Sequence, residues 1–223
     1  MKIRLLATAD VHGVISPYQD SDRTLAQQGL ARLAGHIHRL HDENTLLIDN
    51  GDVLEGCPLT FYHAQYEPDT RHPMADALNY LKYDYYNLGN HDFNYGYDMQ
   101  HGYMEAVNAK CITGNITEHG KVVGAEYTIH EFDETHRIAL IGVTTQHIPV
   151  WEHPEHIEHN TFENVFDYVK RTVAKIKETE SVNGIVVVYH GGFEKDLGDS
   201  NEYSVEEKIE VKETVKVVED IDK

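Results

Sequence analysis

The sequence predicts a layered α/β or α+β domain, and three features carry that prediction. Short apolar runs alternate with amphipathic stretches of helical period, as strands and their covering helices do. Two strand-like runs flank the turn residues Asp133, Glu134 and Thr135, so the sheets are not purely parallel. Four of the apolar runs stop at clusters of Asp, Asn, His and Gly, which puts metal-ligating side chains at strand C-terminal ends.

Taken in order, Ile3 to Ala9 reads as a buried strand. Leu30, Leu33, Ala34, Ile37 and Leu40 recur at helical spacing. Thr45 to Asp49 is a second strand. Pro73 opens a second helix, with Ala77, Leu78 and Leu81 as its apolar face. Tyr83 to Leu88 is strand-like, His101 to Ala109 helical, and Cys111 to Ile116 a short strand. Glu126 to Phe132 and Arg137 to Val143 form the hairpin. Phe162 to Lys177 is a helix with Phe162, Val165, Phe166, Val169, Val173 and Ile176 on one face. Gly184 to Tyr189 is the last continuous apolar strand. From Glu194 the chain turns acidic and Lys/Glu-rich, and its Ile and Val spacing suits a helix or a strand equally. The organisation expected is one domain over residues 1–197 followed by an acidic tail, 198–223.

The 223 residues suffice for one large α/β domain, and 40% hydrophobic with 26% charged residues is a globular balance. A formal net charge of −19 disfavours nucleic-acid backbones and anionic membranes, so no large nucleic acid partner is expected. A small phosphorylated substrate remains compatible if local cations override that field. The first residues run straight into a strand rather than forming a signal peptide, and no apolar run is long enough to span a membrane, so a cytoplasmic location is the expectation. Cys57 and Cys111 read as small buried side chains in a reducing compartment. The 16 histidines are scattered rather than gathered in a metal-buffering tract.

The clusters are Asp10-Val11-His12, Gly51-Asp52, Gly89-Asn90-His91-Asp92 and Tyr189-His190-Gly191. Asp10 and His12 are two apart, so a locally continuing strand points both side chains the same way. Gly51 permits a sharp turn that exposes Asp52, whose two oxygens can bridge two cations. Asn90 offers a neutral, hard oxygen ligand. His91 can assist a leaving oxygen, and Asp92 can orient its ring. His190 supplies another imidazole at a strand end.

In this order the clusters resemble the calcineurin-like metallophosphoesterases. The strings Ala9-Asp10-Val11-His12-Gly13, Asn50-Gly51-Asp52-Val53-Leu54-Glu55-Gly56 and Leu88-Gly89-Asn90-His91-Asp92-Phe93 are similar to the 5′-nucleotidase and 2′,3′-cyclic-nucleotide phosphodiesterase branch. The resemblance implies a four-layer α/β/β/α sandwich and a metal-dependent hydrolase of phosphoester bonds, with a nucleotide as the small substrate. It implies two divalent ions, drawn from Mn, Zn, Fe, Co or Ni. Asp10 and His12 would hold one ion, Asp52 would bridge, and Asn90 and His190 would hold the other. It also implies His91, oriented by Asp92, as the group at the leaving oxygen. The family closes its site with a Gly-His-x-His segment after the strand-His motif, and none follows His190 in these 223 residues: Gly198 leads into Asp199-Ser200-Asn201. The alternative expectation is therefore an incomplete or degenerate domain that binds metal weakly and turns over little.

Overall fold

The computed structural model describes residues 1–192; the acidic tail, and with it the choice between helix and strand there, lies outside the described residues. The chain divides into two compact units. The first comprises Met1–Cys111 with Pro149–His159, and the second Ile112–Ile148 with the segment from Asn160 onward.

In the first unit a parallel sheet runs β1 (Arg4–Thr8), β2 (Thr45–Asp49), β3 (Tyr85–Tyr86) and β4 (Lys110–Cys111), in that order. Thr8 pairs with Asp49 and Asp49 with Tyr86, which brings the three chain reversals after these strands to one end of the sheet. β2 is buried along its whole length, as its unbroken Leu-Leu-Ile run requires on both faces. β1 departs from expectation. Among the described residues it pairs only with β2, and its exposure alternates along the strand, with Leu5 47% exposed, so one of its faces is open. The predicted strand Tyr83 to Leu88 shrinks to two residues, and Cys111 to Ile116 divides between the two units.

This unit carries α1 (Leu30–Leu40), α2 (Pro58–Tyr66), α3 (Pro73–Leu81) and α4 (Gly96–Ala106), and most of the short helix Ile148–Trp151. Pro58 and Pro73 sit in the first turns of α2 and α3, where a missing N–H costs nothing. α2 was not legible in the sequence, since its apolar residues show no helical face. α3 packs against α1 and α4 and buries Met74, Ala75, Leu78 and Leu81.

The second unit holds β5 (Ile116–Glu118), β6 (Lys121–Val122), β7 (Thr128–Glu131), β8 (Arg137–Thr144), β9 (Asn160–Phe162) and β10 (Gly184–His190). One three-stranded sheet runs β10-β8-β7 and the other β6-β5-β9. The β7–β8 hairpin is antiparallel as expected, whereas β10 pairs with β8 in parallel from Gly184–Ile138 to His190–Thr144. A short helix α5 (Ile148–Trp151) precedes β9, and α6 (Val165–Thr179) follows it. Phe162, read from sequence as helical, belongs to β9; Asn164 caps α6 by accepting the Asp167 N–H. α6 lays Val165, Tyr168, Val169 and Ile176 against Ala139, Ile141 and Val143 of β8. Among the described residues no helix is long and apolar enough to cross a membrane.

Candidate metal centre

The turns after β1, β2 and β3 are laced together by their backbones. Asn50 N–H donates to Thr8 O (2.7 Å), Asp10 N–H to Gly51 O (3.0 Å) and His12 N–H to Asp52 O (2.8 Å). Asp10, His12 and Asp52 all take positive φ, at 54°, 49° and 59°. Three non-glycine residues in the left-handed region, each costing on the order of 1 kcal/mol, mark a locally strained rim held by the surrounding bonds. The expectation that an extended strand carries Asp10 and His12 onto one side is corrected here: β1 ends at Thr8, and two left-handed residues set their directions instead.

Glycines make the close approach possible. A Cβ on Gly51 (φ 90°) would stand 2.2 Å from the Gly89 nitrogen, and one on Gly56 (φ 125°) 2.6 Å from the His12 Cβ. Without them the Asp52 turn could not lie against the Asn90 turn, nor the Glu55 segment against the His12 ring.

The side chains follow from this frame. Carboxylate oxygens of Asp10 and Asp52 lie within 4.8 Å of each other. His12 Nδ1 lies 2.9 Å from Glu55 O, which can only accept, so Nδ1 carries the proton and Nε2 keeps its lone pair. That Nε2 is 3.9 Å from Asp52 Oδ2. Two carboxylates side by side, with an imidazole lone pair beside one of them, form a donor set that fits a divalent cation, because bare like charges at that separation repel. Asp52 Oδ1 also accepts the His91 N–H at 2.7 Å, which ties the bridging candidate to the next turn.

Asn90 opens a single 3₁₀ turn, His91–Phe93. The His91 ring meets the His12 ring edge to face, with centroids 5.4 Å apart. Asp92 does not orient it. The Asp92 carboxylate is buried beneath the turns and accepts four backbone N–H groups: Val53 and Leu54 on Oδ1 (2.8 and 3.0 Å), Asp52 and Gly89 on Oδ2 (2.9 and 2.8 Å). Burial, and then the Asp52 charge, push this carboxyl upward from its ordinary range, while the Gly89, Leu54 and Val53 N–H groups oppose them. Asp92 thus builds the Asp52 turn rather than aiming an imidazole. The group facing His91 Nδ1 is Asn94, whose Oδ1 lies at 2.6 Å; Glu55 Oε2 is farther, at 3.6 Å.

In the second unit, His190 is buried at the end of β10, and its carbonyl accepts the Thr145 N–H at 2.9 Å. It is the terminal residue of a strand, as the sequence implies.

An open cleft of about 640 Å³ adjoins Asp10 and His12. Gln27, Gln28, Arg32 and His36 line its other side. Sequence reading found none of these, nor Asn94. Cys57 and Cys111 are half-buried free thiols, and Cys57 caps α2 with Thr60 rather than reaching into the site.

The chain matches no protein-family model. It is 32% identical over 216 residues to the trifunctional nucleotide phosphoesterase protein YfkN of Bacillus subtilis, covering 89% of this chain and 15% of that protein. It is 29% identical over 209 residues to the 2′,3′-cyclic-nucleotide 2′-phosphodiesterase/3′-nucleotidase of Salmonella typhimurium, covering 87% of this chain and 32% of that protein. The chain therefore spans about a third or less of the length of these two curated relatives. The crystal structure of calcineurin-like phosphoesterase YfkN from Bacillus subtilis matches with a TM-score of 0.75 and 30% identity, over 88% of this chain and 65% of that one.

Proposed function

Since the chain belongs to the calcineurin-like phosphoesterases, in the nucleotidase and cyclic-nucleotide phosphodiesterase branch, we propose that it serves metal-dependent hydrolysis of a nucleotide phosphoester. The observation that carries this reading is the convergence of Asp10, Asp52 and His12 Nε2 beside His91 at one end of a parallel sheet.

As the resemblance implies, Asp10, His12, Asp52 and Asn90 would be among the residues that hold the divalent ions. The ions are drawn from Mn, Zn, Fe, Co or Ni, and when bound they supply Lewis-acid polarisation of the phosphoryl group and lower the pKa of water. The chain's own residues do the rest. Glu55 O fixes the His12 tautomer so that Nε2 faces inward. Asp92 locks the Asp52 turn through its four amides. Arg32, on the cleft beside Asp10, offsets the acidic surface where an anionic phosphate enters. With its Nδ1–H held by Asn94 Oδ1, His91 would act as an acid in its imidazolium form, giving the Nε2 proton to the departing ester oxygen. A cytoplasmic location, a small-molecule partner and the absence of membrane or large nucleic-acid partners belong to the same reading.

The test is hydrolysis of bis(p-nitrophenyl) phosphate and of a 2′,3′-cyclic nucleotide with added manganese, with Asp52→Ala as control. Turnover in the wild type that falls to background in the variant supports the reading. Equal background turnover in both rejects it and leaves the alternative, a fold that binds metal weakly without useful catalysis.

A further inference from the structure

We propose that Glu55 is a specificity-determining residue whose carboxylate accepts a hydroxyl next to the leaving oxygen, so that the site favours phosphate esters of vicinal diols. The inference rests on the phosphoester-hydrolase reading, which puts His91 at the leaving oxygen.

The other acidic side chains around these turns are committed to the protein itself. Asp92 accepts four backbone N–H groups, and Asp52 Oδ1 accepts the His91 N–H. Glu152 accepts from Asn94 Nδ2 at 2.6 Å and from the His153 N–H at 2.7 Å. Glu55 differs. Among the described residues its carboxylate accepts no hydrogen bond and pairs with no lysine or arginine. Its ion-pair contact is His91 Nδ1, 3.6 Å from Oε2, and that nitrogen already has Asn94 Oδ1 at 2.6 Å. The Glu55 side chain is 35% exposed, so it opens to solvent while standing beside the His91 ring.

The backbone that carries this side chain is fixed on both sides. The Leu54 N–H is bonded to Asp92 Oδ1 at 3.0 Å, Glu55 O holds His12 Nδ1 at 2.9 Å, and Gly56 turns at φ 125° against the His12 ring. A short arm on a held base keeps its two oxygens in one neighbourhood. Folding uses the Glu55 carbonyl, which any residue would supply, and makes no use of the carboxylate. The charge is therefore available to something that enters the site.

What enters must donate, because an ionised carboxylate only accepts. A phosphate oxygen at that place would be repelled, so the carboxylate faces the alcohol side of the ester. It stands at the Nδ1 edge of a ring whose Nε2 serves the leaving oxygen. A hydroxyl on the adjoining carbon is within its reach, and a group at the far end of a nucleoside is not. In a nucleoside 3′-phosphate the free 2′-hydroxyl occupies that position. In a 5′-phosphate the adjoining carbon bears the ring ether oxygen, which has no proton to give. A site built to accept a hydroxyl rejects the analogue lacking it more strongly than an apolar site would.

The test is a cycle between side chain and hydroxyl. With manganese, the wild-type chain, Glu55→Gln and Glu55→Leu are compared on adenosine 3′-phosphate, 2′-deoxyadenosine 3′-phosphate and adenosine 5′-phosphate. Removing the 2′-hydroxyl should lower the wild-type kcat/KM about 10- to 100-fold, as loss of one hydrogen bond to a charged acceptor does. Glu55→Leu should cost the same on adenosine 3′-phosphate and less than about 2-fold on the other two substrates. Glu55→Gln keeps a neutral acceptor and should fall between. Bound manganese should be unchanged in both variants, since Glu55 O still holds the His12 ring. Equal losses on all three substrates would make Glu55 a partner of His91 rather than of the substrate and overturn the proposal, and so would variants without loss. A wild-type chain with no turnover would reject the hydrolase reading, and nucleoside binding then decides the role of Glu55. By titration calorimetry adenosine should bind the manganese-loaded chain more tightly than 2′-deoxyadenosine, with the difference gone in Glu55→Leu. Nucleosides bound equally, or not at all, would overturn the Glu55 role as well.

Discussion

Two histidine pairs in the first unit make nearly the same ring contact and lie in different hydrogen-bond surroundings. His12 and His91 meet edge to face at 5.4 Å between centroids, and His63 and His72 at 4.6 Å. In the first pair each Nδ1 has a fixed acceptor, Glu55 O or Asn94 Oδ1, and His12 Nε2 lies 3.9 Å from Asp52 Oδ2. In the second pair the bonded nitrogens are His63 Nε2, to Thr70 O, and His72 Nδ1, from the Met74 N–H. The remaining His63 Nδ1 and His72 Nε2 are buried and find no hydrogen-bond partner among the described residues. Burial first, and then the His63 charge, push His72 down to about 3. An imidazole becomes functional through what holds its other nitrogen and what the free one faces. The ring itself, or its proximity to another ring, decides neither.

The sharpest way to break the first region is through the carboxylate beneath it. Asp92→Asn keeps size and removes charge, but it puts an NH₂ where Asp52 N–H and Gly89 N–H, or Val53 N–H and Leu54 N–H, already donate. Two donors are left facing a donor in a buried place. At about 1–3 kcal/mol per orphaned group, stability should fall by roughly 3–5 kcal/mol, measured as the urea midpoint at pH 7.5 with an unchanged m-value. A loss under about 1 kcal/mol would mean that the cage is slack.

Next in size is Asp52→Ala. It removes the carboxylate shared by the candidate sites and the acceptor of the His91 N–H. Manganese affinity, by titration calorimetry, should fall at least about 100-fold, whereas His91→Ala should lower it less than about 3-fold. Equal losses in the two variants would move His91 into the metal shell and end its separate role.

The contrast also explains what could be read beforehand. The fold class, the hairpin, the strands that lead into the Asp10 and Asp52 turns and the strand that ends at His190 were visible because apolar runs and turn residues are local signals. The open face of β1 and the shortness of β3 were not, since packing and pairing partners lie far away in sequence. α2 escaped because no helical stripe marks it. In the site, residue types and order singled out Asp10, His12, Asp52 and His91, whose side chains lie near one another. The partners that give them function were not legible. Glu55 acts through its backbone carbonyl, which every residue has, and Glu152 reaches Asn94 across 58 positions of sequence. Adjacency misled in one case: Asp92 stands next to His91 in the chain and turns away from it in space.

The smallest effect sharpens the second region. A histidine held near 3 when folded and near its ordinary 6.5 when unfolded binds fewer protons in the native state. Protonation then favours the unfolded chain. Stability is fully present above about pH 6.5 and drains away as pH falls toward 3. At pH 5 the unfolded imidazole is about 1.5 units below its midpoint, which corresponds to about 2 kcal/mol lost from this group. His72 also caps α3, so the replacement must keep the cap. Asparagine does, since its side-chain oxygen can accept the Met74 N–H. His72→Asn should therefore leave thermal stability at pH 7.5 within about 1 kcal/mol of the wild type and flatten its decline between pH 6.5 and 5. If the two pH profiles run parallel, His72 is not a buried neutral imidazole.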